Sequence, residues 1–272
     1  MTAVGLLGCG AMGAQIAEVI CAKKAGDAVV AALFDQDVSK ARSLAEKLPV
    51  SVPYFQDLDG FLSTPQLDMV LECASPTAAK LHAEAILENG KDLLLMSSGA
   101  LTDSKLFQRL GEAARRSASR FLVPSGALGG IDAIRAVRHQ LEEVSLTTTK
   151  TPRALQGAPG FKEWESRDIS QPQVIFEGSA LEAVQLFPAN VNVAATLSLA
   201  GVGPKKTKVK VIADPQSPGN VHEIVARGQF GVLKFRMELR PHEQNPRTSA
   251  LAIFSAIETL RAACTLEPRI GT

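Results

Sequence analysis

A glycine-rich turn near the start of the chain has the spacing that binds dinucleotides. Gly8, Gly10 and Gly13 form a G-x-G-x-x-G pattern between a short apolar run and a segment with helical periodicity. The first glycine permits a tight turn, the second lets a pyrophosphate approach the backbone, and the third allows close helix–strand packing. Ala11 and Met12 open the predicted helix, whose free N–H groups and positive end would face phosphates. The alternative is a glycine-rich turn in an α/β protein that binds no nucleotide.

Asp35 stands where dinucleotide-binding proteins carry an acidic residue. It comes 22 residues after Gly13, directly after the next apolar run. A carboxylate there accepts hydrogen bonds from the adenosine ribose hydroxyls and repels a 2′-phosphate. No Lys or Arg follows until Lys40, which favours NAD as the cofactor and leaves NADP possible. The alternative role for Asp35 is that of a local cap.

Small residues follow two later strands of the predicted sheet. Ala74 and Ser75 lie before Pro76, and a second group of small residues occupies 97–100. In a doubly wound sheet both groups lie at the carboxyl ends of strands, where ligands bind. Ala74 and Ser75 are therefore candidates for cofactor binding, and simple tight turns are the alternative.

His222 is the histidine whose position suggests chemistry. It lies at the start of a predicted strand after a Pro/Gly turn, whereas His82 and His139 lie in or at the end of predicted helices and His242 lies near a loop. With its ordinary pKa of about 6.5, a histidine moves protons near neutral pH. The adjacent Glu223 would point to the opposite face of the strand, so the two are not paired. The alternative is a hydrogen-bonding residue at a loop edge.

Composition excludes several classes of protein. The 272 residues include 29 Lys and Arg against 28 Asp and Glu, so the net charge of +1 provides no field for binding nucleic acid or anionic membranes. A hydrophobic content of 46% excludes wholesale disorder. The uncharged stretch 183–204 contains two prolines and three amides, which favours a buried globular segment over a membrane span. The four cysteines have no metal-ligand spacing, so we expect no metal site, no disulfides and a cytoplasmic protein.

The first half of the chain predicts a Rossmann-type doubly wound parallel sheet, because short apolar strands alternate with amphipathic helices. We assign residues 1–124 to this dinucleotide-binding domain. The predicted strands are 4–7, 28–34, 69–73, 93–96 and 121–123, and the predicted helices are 12–24, 38–48, 77–88 and 103–118.

The second half predicts an α+β domain with a mixed or antiparallel sheet, because its strands alternate apolar and polar residues. We assign residues 125–246 to this domain, for catalysis, substrate binding and oligomerisation, and expect the terminal helix, within 247–272, to pack back onto the first domain. The predicted helices are 131–139, 181–187, 191–200 and 248–263, the predicted strands are 206–212, 221–226 and 232–239, and residues 151–173 are largely loop.

Four segments together resemble the L-aspartate dehydrogenase family. They are Gly8–Gly13, Ser125–Gly130, Phe187–Ala195 and Asn220–Gly231, and they occur in the family's order over nearly the whole chain. The last three are far more specific than the glycine pattern. The resemblance implies a two-domain enzyme with a cleft between the domains.

The resemblance also implies an activity, the NAD(P)-dependent and reversible oxidative deamination of L-aspartate to iminoaspartate, which hydrolyses to oxaloacetate and ammonia. It implies that His222 is the active-site residue and that Ala127 and Asn192 contact the nicotinamide cofactor. Lys150, Asn192 and the amides at the start of the 190–192 helix are candidates for the substrate carboxylates. We expect a homodimer with no nucleic-acid or membrane partner.

The sequence leaves open the metabolic use of the product and two alternative functions. On sequence grounds the product fits NAD biosynthesis and aspartate catabolism equally well. A related NAD(P)-dependent reductase of another small carboxylic substrate is the second enzymatic interpretation. A non-catalytic NAD(H)-binding sensor is the third, although a sensor needs no proton-transfer group such as His222.

Overall fold

The chain divides into two compact units. The computed structural model describes residues 1–188, 192–242 and 245–265, without the side chains of residues 241–248. One unit contains Met1–Pro124 together with residues 253–265, and the other is Ser125–Ala252.

The first unit is built on six parallel strands. The strands are β1 (Thr2–Leu7), β2 (Ala28–Phe34), β3 (Tyr54–Phe55), β4 (Met69–Glu72), β5 (Asp92–Leu95) and β6 (Phe121–Leu122). The helices between them are α1 (Ala11–Cys21), α2 (Val38–Lys47), α3 (Leu58–Leu62), α4 (Pro76–Glu88) and α5 (Ser104–Ser117). The sheet order β3-β2-β1-β4-β5-β6 is that of dinucleotide-binding domains. The predicted Rossmann-type sheet is thus confirmed, whereas β3 and α3 were not predicted.

Local sequence explains where these helices begin and end. Asp37, Ser75 and Asp103 are N-caps whose side chains accept hydrogen bonds from the first-turn amides of α2, α4 and α5. Helix α1 ends at Cys21, earlier than the predicted Lys24, because the chain turns through a left-handed conformation at Lys23, with φ of +58°. These caps mark where α2, α4 and α5 begin, so the turns before them, at the carboxyl ends of the strands, carry the candidate residues.

A buried carboxylate joins two of those turns. Glu72, the last residue of β4, is 1% exposed. Its Oε1 accepts hydrogen bonds from the amides of Ala74 and Ser75 and from Ser97 Oγ, and its Oε2 accepts one from the Ser97 amide. Burial raises the pKa of Glu72, and the hydrogen bonds oppose that shift. The turn after β4 and the turn after β5 are therefore held by one side chain.

The second unit is built on five strands. Its strands are β7 (Leu141–Lys150), β8 (Gln173–Ser179), β9 (Lys208–Ala213), β10 (Asn220–Gly228) and β11 (Gly231–Leu239), in the order β11-β10-β7-β9-β8. Its helices are α6 (Ile131–Ala136), α7 (Pro152–Leu155), α8 (Ala180–Leu186) and α9 (Asn192–Ala200). Strands β7 and β9 are parallel and the other neighbours are antiparallel, so the predicted mixed sheet is confirmed. A small pair, β12 (Pro241–His242) and β13 (Asn245–Ser249), follows.

One face of this second sheet is buried, and its character changes along the strands. Val144 and Leu146 of β7 and Ile224 of β10 lie in an apolar core with residues of α8 and α9. Further along the same face, the buried side chains are polar: Thr148 and Lys150 of β7. Strand β7 was not predicted, because its buried face ends in these polar residues and the alternation of apolar residues stops with them.

The last helix, α10 (Ala250–Cys264), packs into the core of the first unit. Its residues Ile253, Ala256, Ile257 and Leu260 are buried together with residues of β1 and α1. The remainder of the predicted segment 247–272 beyond Thr265 lies outside the described residues. Among the described residues, no helix is long and apolar enough to span a membrane. The uncharged stretch 183–204 contributes instead to α8 and α9.

We expect Glu72→Gln to destabilise the protein, although it preserves the size of the side chain. Both carboxylate oxygens accept hydrogen bonds from backbone amides. In either orientation the glutamine NH₂ would face a backbone N–H, leaving a buried donor unsatisfied, which costs about 1–3 kcal/mol. Thermal unfolding should show Tm lowered by several degrees, with no change for Glu46→Gln on the exposed surface of α2. Equal Tm values for Glu72→Gln and the wild type would contradict this account.

Candidate active site

The three glycines of the first turn have three different surroundings. Gly8 has a φ of +110°, which favours glycine, and a Cβ added there would lie 2.8 Å from the Ala74 backbone. A Cβ at Gly13 would lie 2.0 Å from the carbonyl oxygen of Gly8, so α1 packs against the turn too closely for any side chain. A Cβ at Gly10 would meet nothing within 4 Å. The turn thus has open space at its second glycine, where the pattern predicts that a pyrophosphate approaches.

The start of α1 adjoins this open space. Ala11 and Met12 are its first residues and are half-buried. Gly10 is the N-cap and supplies no side-chain hydrogen bond to the first turn. Amides at an uncapped helix start, with the positive end of the helix dipole, are suited to phosphate oxygens.

The carboxylate of Asp35 is anchored beside the glycine turn. Its Oδ2 accepts a hydrogen bond of 2.9 Å from the Cys9 amide, and its Oδ1 accepts one of 2.9 Å from the Asp37 amide. The alternative role as a local cap falls instead to Asp37, which caps α2. Asp35 is therefore held at the end of β2, next to the residues expected to contact the cofactor.

Ala74 and Ser75 also lie at this edge of the sheet. Ala74 packs against Gly8, and the amides of both residues donate to Glu72. The Ser75 hydroxyl accepts a hydrogen bond from the Ala78 amide and so caps α4. The structure brings these two residues together with the glycine turn, while giving Ser75 the turn-forming role that was its alternative interpretation.

In the second unit, the polar end of the buried sheet face contains His222. Thr148 lies directly opposite His222 in the pairing of β7 with β10. The distance from Thr148 Oγ1 to His222 Nδ1 is 2.9 Å. Lys150 and Asn220 are the next residues on the same face, and all four side chains are at most 2% exposed. Two ionisable groups and two neutral hydrogen-bonding groups therefore share one buried patch.

Burial changes the protonation of both ionisable groups. Desolvation, followed by repulsion from Lys150, lowers the pKa of His222 to about 3. Desolvation lowers the pKa of Lys150 to about 7. His222 is thus a neutral imidazole at pH 7, which corrects the expectation of an ordinary pKa near 6.5. Lys150 exchanges its proton near neutral pH, so its charge responds to whatever binds beside it.

The two predicted contacts of the nicotinamide lie in the second unit. Ala127, in the turn before α6, is 7% exposed and belongs to the apolar core. Asn192 is the first residue of α9 and is half-buried. The preceding residues 189–191, including the amides predicted to bind substrate carboxylates, lie outside the described residues.

The other histidines and acidic neighbours have simpler surroundings. His82 packs edge-on against Phe34, with ring centroids 5.3 Å apart. His139 lies in a short 3₁₀ turn before β7, and the side chain of His242 is not described. Glu223 lies on the opposite face from His222, where it binds Arg236. Within the described ranges no group of His, Cys, Asp and Glu could hold a metal ion, and all four cysteines are free thiols.

Two residues of the site were missed by sequence reasoning. Glu72 ends the apolar strand Met69–Glu72, and a charged residue there was available as a signal of a buried hydrogen-bonding centre. Thr148 lies in a run of three threonines, and nothing in that run distinguishes it from Thr147 or Thr149. Only the pairing register of β7 with β10 identifies it.

Two family models match the chain, one in each half. Residues 8–124 match "Homoserine dehydrogenase, NAD binding domain", and residues 132–263 match "Aspartate dehydrogenase, C-terminal". The first match covers the glycine turn, Asp35, Ala74 and Ser75. The second covers Lys150, Asn192 and His222.

Known proteins resemble the chain over its whole length. It is 42% identical to the L-aspartate dehydrogenase of Nitrosopumilus maritimus and 40% identical to that of Methanocaldococcus jannaschii, with 100% of each chain covered in both comparisons. Among solved structures, the aspartate dehydrogenase of Thermotoga maritima has a TM-score of 0.78 and 28% sequence identity, with 99% of each chain covered. Since identity of 40% or more extends over the full length of the chain, the chain belongs to the L-aspartate dehydrogenase family.

Proposed function

We propose that the protein is an L-aspartate dehydrogenase, which oxidises L-aspartate with NAD(P) to iminoaspartate. Hydrolysis of iminoaspartate gives oxaloacetate and ammonia, and the reverse reaction is reductive amination. The observation that carries the proposal is the buried pair of ionisable residues, His222 and Lys150, in a chain of this family. A proton acceptor and an anion-binding cation are the two groups that oxidation of an amino dicarboxylate requires.

The first unit has the features needed to hold a dinucleotide. The open space at Gly10 fits a pyrophosphate, the start of α1 offers amides to its oxygens, and Asp35 offers a carboxylate to the ribose. When bound, the nicotinamide ring supplies the acceptor for the hydride that leaves the substrate Cα. Ala127 and the Asn192 carboxamide are the residues we assign to orienting that ring.

We assign proton transfer to Nε2 of His222. The imidazole is neutral at pH 7 and so has a lone pair for a proton of the substrate ammonium group, and the carboxylates of the bound substrate, which offset the charge of Lys150, favour the imidazolium that results. An N–H bond of the ammonium breaks and an Nε2–H bond forms, which leaves a lone pair on the amine to drive out the hydride. After His222 has released this proton to solvent, it takes a proton from the water that adds to the imine carbon and passes it to the nitrogen of the resulting carbinolamine, whose C–N bond then breaks. Loss of ammonia then yields oxaloacetate.

Lys150 is the group we assign to a substrate carboxylate. A dicarboxylate brings negative charge into a patch where the lysine is only partly protonated, and this charge favours the ammonium form. An ion pair formed away from water is stronger than one on the surface. Asn192 is a second candidate for substrate contact, through its amide donor.

We propose NAD as the preferred cofactor. The anchored carboxylate of Asp35 would repel the 2′-phosphate of NADP. The first basic residue after it, Lys40, has its ammonium 3.9 Å from the Asp37 carboxylate. A cation engaged with Asp37 offers a 2′-phosphate less compensation than a free one.

We also propose that the enzyme is a cytoplasmic homodimer acting on small molecules, with no nucleic-acid or membrane partner. Four free thiols are consistent with a reducing compartment. Supply of iminoaspartate to NAD biosynthesis and catabolism of aspartate both use this chemistry.

A non-catalytic sensor explains these observations less well. A protein that only binds NAD(H) has no use for a buried histidine beside a buried lysine, since burying both groups costs stability. The simplest test of the function is the appearance of NADH absorbance when purified protein receives only L-aspartate and NAD. No NADH with L-aspartate, but turnover with another small carboxylic substrate, would favour the related reductase.

We expect Asp35→Ala to weaken NAD binding more than NADP binding. The variant removes hydrogen bonds to the ribose and also removes the charge that repels a 2′-phosphate. Fluorescence titration should give a Kd for NADH raised about tenfold or more and a Kd for NADPH raised less or lowered. Asp103→Ala, which removes the equivalent carboxylate cap of α5, is the matched control and should leave the ratio of the two Kd values unchanged. An equal loss for both cofactors in Asp35→Ala would contradict the ribose role.

His222→Ala should abolish most turnover while leaving cofactor affinity intact. Loss of the proton acceptor is expected to lower kcat by a factor on the order of 10² or more. Steady-state NADH absorbance measures turnover, and NADH fluorescence measures Kd. The control is His139→Ala, which changes a histidine outside the buried patch. Wild-type kcat in His222→Ala would remove this residue from the mechanism.

Binding of a dicarboxylate should depend on pH through Lys150. Below the pKa of about 7 the lysine is charged and binds the anion, whereas above it the neutral amine must take up a proton first. Succinate is suitable because both of its carboxylates are ionised above pH 7, so a change in its Kd there comes from the protein. Above pH 7 the Kd should rise by about tenfold per pH unit.

Lys150→Met tests the assignment of that pH dependence. We expect it to raise the succinate Kd about 10- to 100-fold at pH 7 and to remove the dependence between pH 7 and 9. Lys208→Met on the exposed face of the same sheet should retain the wild-type profile. The assignment is wrong if the slope persists in Lys150→Met.

A further inference from the structure

The hydroxyl of Thr148 stands out on the buried face of β7. Its neighbours on that face toward the start of the strand, Val144 and Leu146, are apolar, and so is Val211 beside it on β9. Thr148 is 0% exposed. Valine has nearly the same shape and would fill this position without a polar atom. Burying a hydroxyl costs free energy of folding unless the hydroxyl is hydrogen-bonded. The group to which Thr148 is hydrogen-bonded therefore indicates what the hydroxyl does.

That partner is the ring of His222. The distance from Oγ1 to Nδ1 is 2.9 Å, and the two residues lie directly opposite each other on adjacent antiparallel strands. The other ring nitrogen, Nε2, has no hydrogen-bond partner among the described residues. The hydroxyl therefore engages one nitrogen and leaves the other for substrate.

A neutral imidazole carries its proton on one nitrogen only, and the hydrogen bond at that nitrogen selects the tautomer. If the proton is on Nδ1, it is donated to Thr148 Oγ1 and Nε2 has a lone pair. If the hydroxyl donates instead, Nε2 carries the proton and cannot act as a base. Proton transfer from the substrate ammonium requires the first arrangement.

We propose that Thr148 is a positioning residue that accepts a hydrogen bond from Nδ1 of His222, and so keeps the Nε2 lone pair directed at the substrate. This inference rests on the proposed function, since it assigns Nε2 the role of base. The same hydrogen bond steadies the imidazolium when Nε2 has taken the proton, because Nδ1–H then donates to oxygen more strongly. The charge of Lys150 repels this imidazolium and so disfavours it. The hydrogen bond to the Thr148 oxygen partly offsets that repulsion.

The test compares three variants of the same strand. Thr148→Val removes the hydroxyl and keeps the shape, and Thr148→Ser keeps the hydroxyl and removes a methyl group. Thr147→Val makes the same change on the opposite face of β7, next to Glu223 rather than His222. We expect kcat to fall about tenfold or more in Thr148→Val, because an orienting hydrogen bond of about 1.4 kcal/mol corresponds to one order of magnitude.

The KM for L-aspartate and the Kd for NADH should change by less than about twofold in Thr148→Val. Thr148→Ser should recover most of kcat, and Thr147→Val should match the wild type. Circular dichroism confirms that each variant is folded. Equal loss of kcat in Thr147→Val, or no recovery in Thr148→Ser, would overturn the proposal.

The tautomer itself is measured by NMR of protein labelled with ¹⁵N-histidine. The His222 signals are assigned by their absence in His222→Ala. We expect a protonated Nδ1 and an unprotonated Nε2 in the wild type and in Thr147→Val, and a shift toward protonated Nε2 in Thr148→Val. A wild-type ring with its proton on Nε2 overturns the proposal. This readout needs no substrate, so it is separate from a failure of the proposed function, which would appear as no NADH from L-aspartate in the wild type.

Discussion

The placement of ionisable groups on the core side of a sheet constrains the whole second unit. His222 and Lys150 occupy the same buried face as Val144 and Ile224, which belong to the apolar core. Removal from water favours the neutral form of each group. Lys150 can therefore lose its proton near neutral pH, where a surface lysine stays charged, and His222 has a free lone pair. The apolar part of the face keeps the strands in register, and register alone brings His222 opposite Thr148.

The first unit also contains a buried ionisable group, but this group is an acid rather than a base. Glu72 is a buried acid whose cost is offset by four hydrogen bonds, three of them from backbone amides. Since those donors belong to two different turns, the turns behave as one rigid edge. The glycine turn packs onto that edge through Ala74. The Glu72 side chain thus fixes the backbone of this edge, whereas in the second unit Thr148 engages the ring of His222 itself.

The part of the fold and site that sequence predicts is the part coded locally. The glycine spacing, the acidic residue at the end of β2 and the strand beginning near His222 are visible in a few consecutive residues. Thr148 and Glu72 acquire their roles from partners 74 and 25 residues away, respectively. Strand β7 was not predicted because its buried face ends in Thr148 and Lys150. A strand is recognised in a sequence by alternating apolar residues, and that alternation stops where the buried residues become polar.

The return of α10 to the first unit has a consequence for synthesis on the ribosome. Ile253 and Leu260 fill the core beneath β1 and α1, yet they are translated after every residue of the second sheet. The N-terminal sheet cannot close its core when it first emerges, and must wait with an uncovered apolar surface until the rest has been made. The second sheet, continuous in the chain, has its whole core available earlier, so it can fold before the first unit is complete.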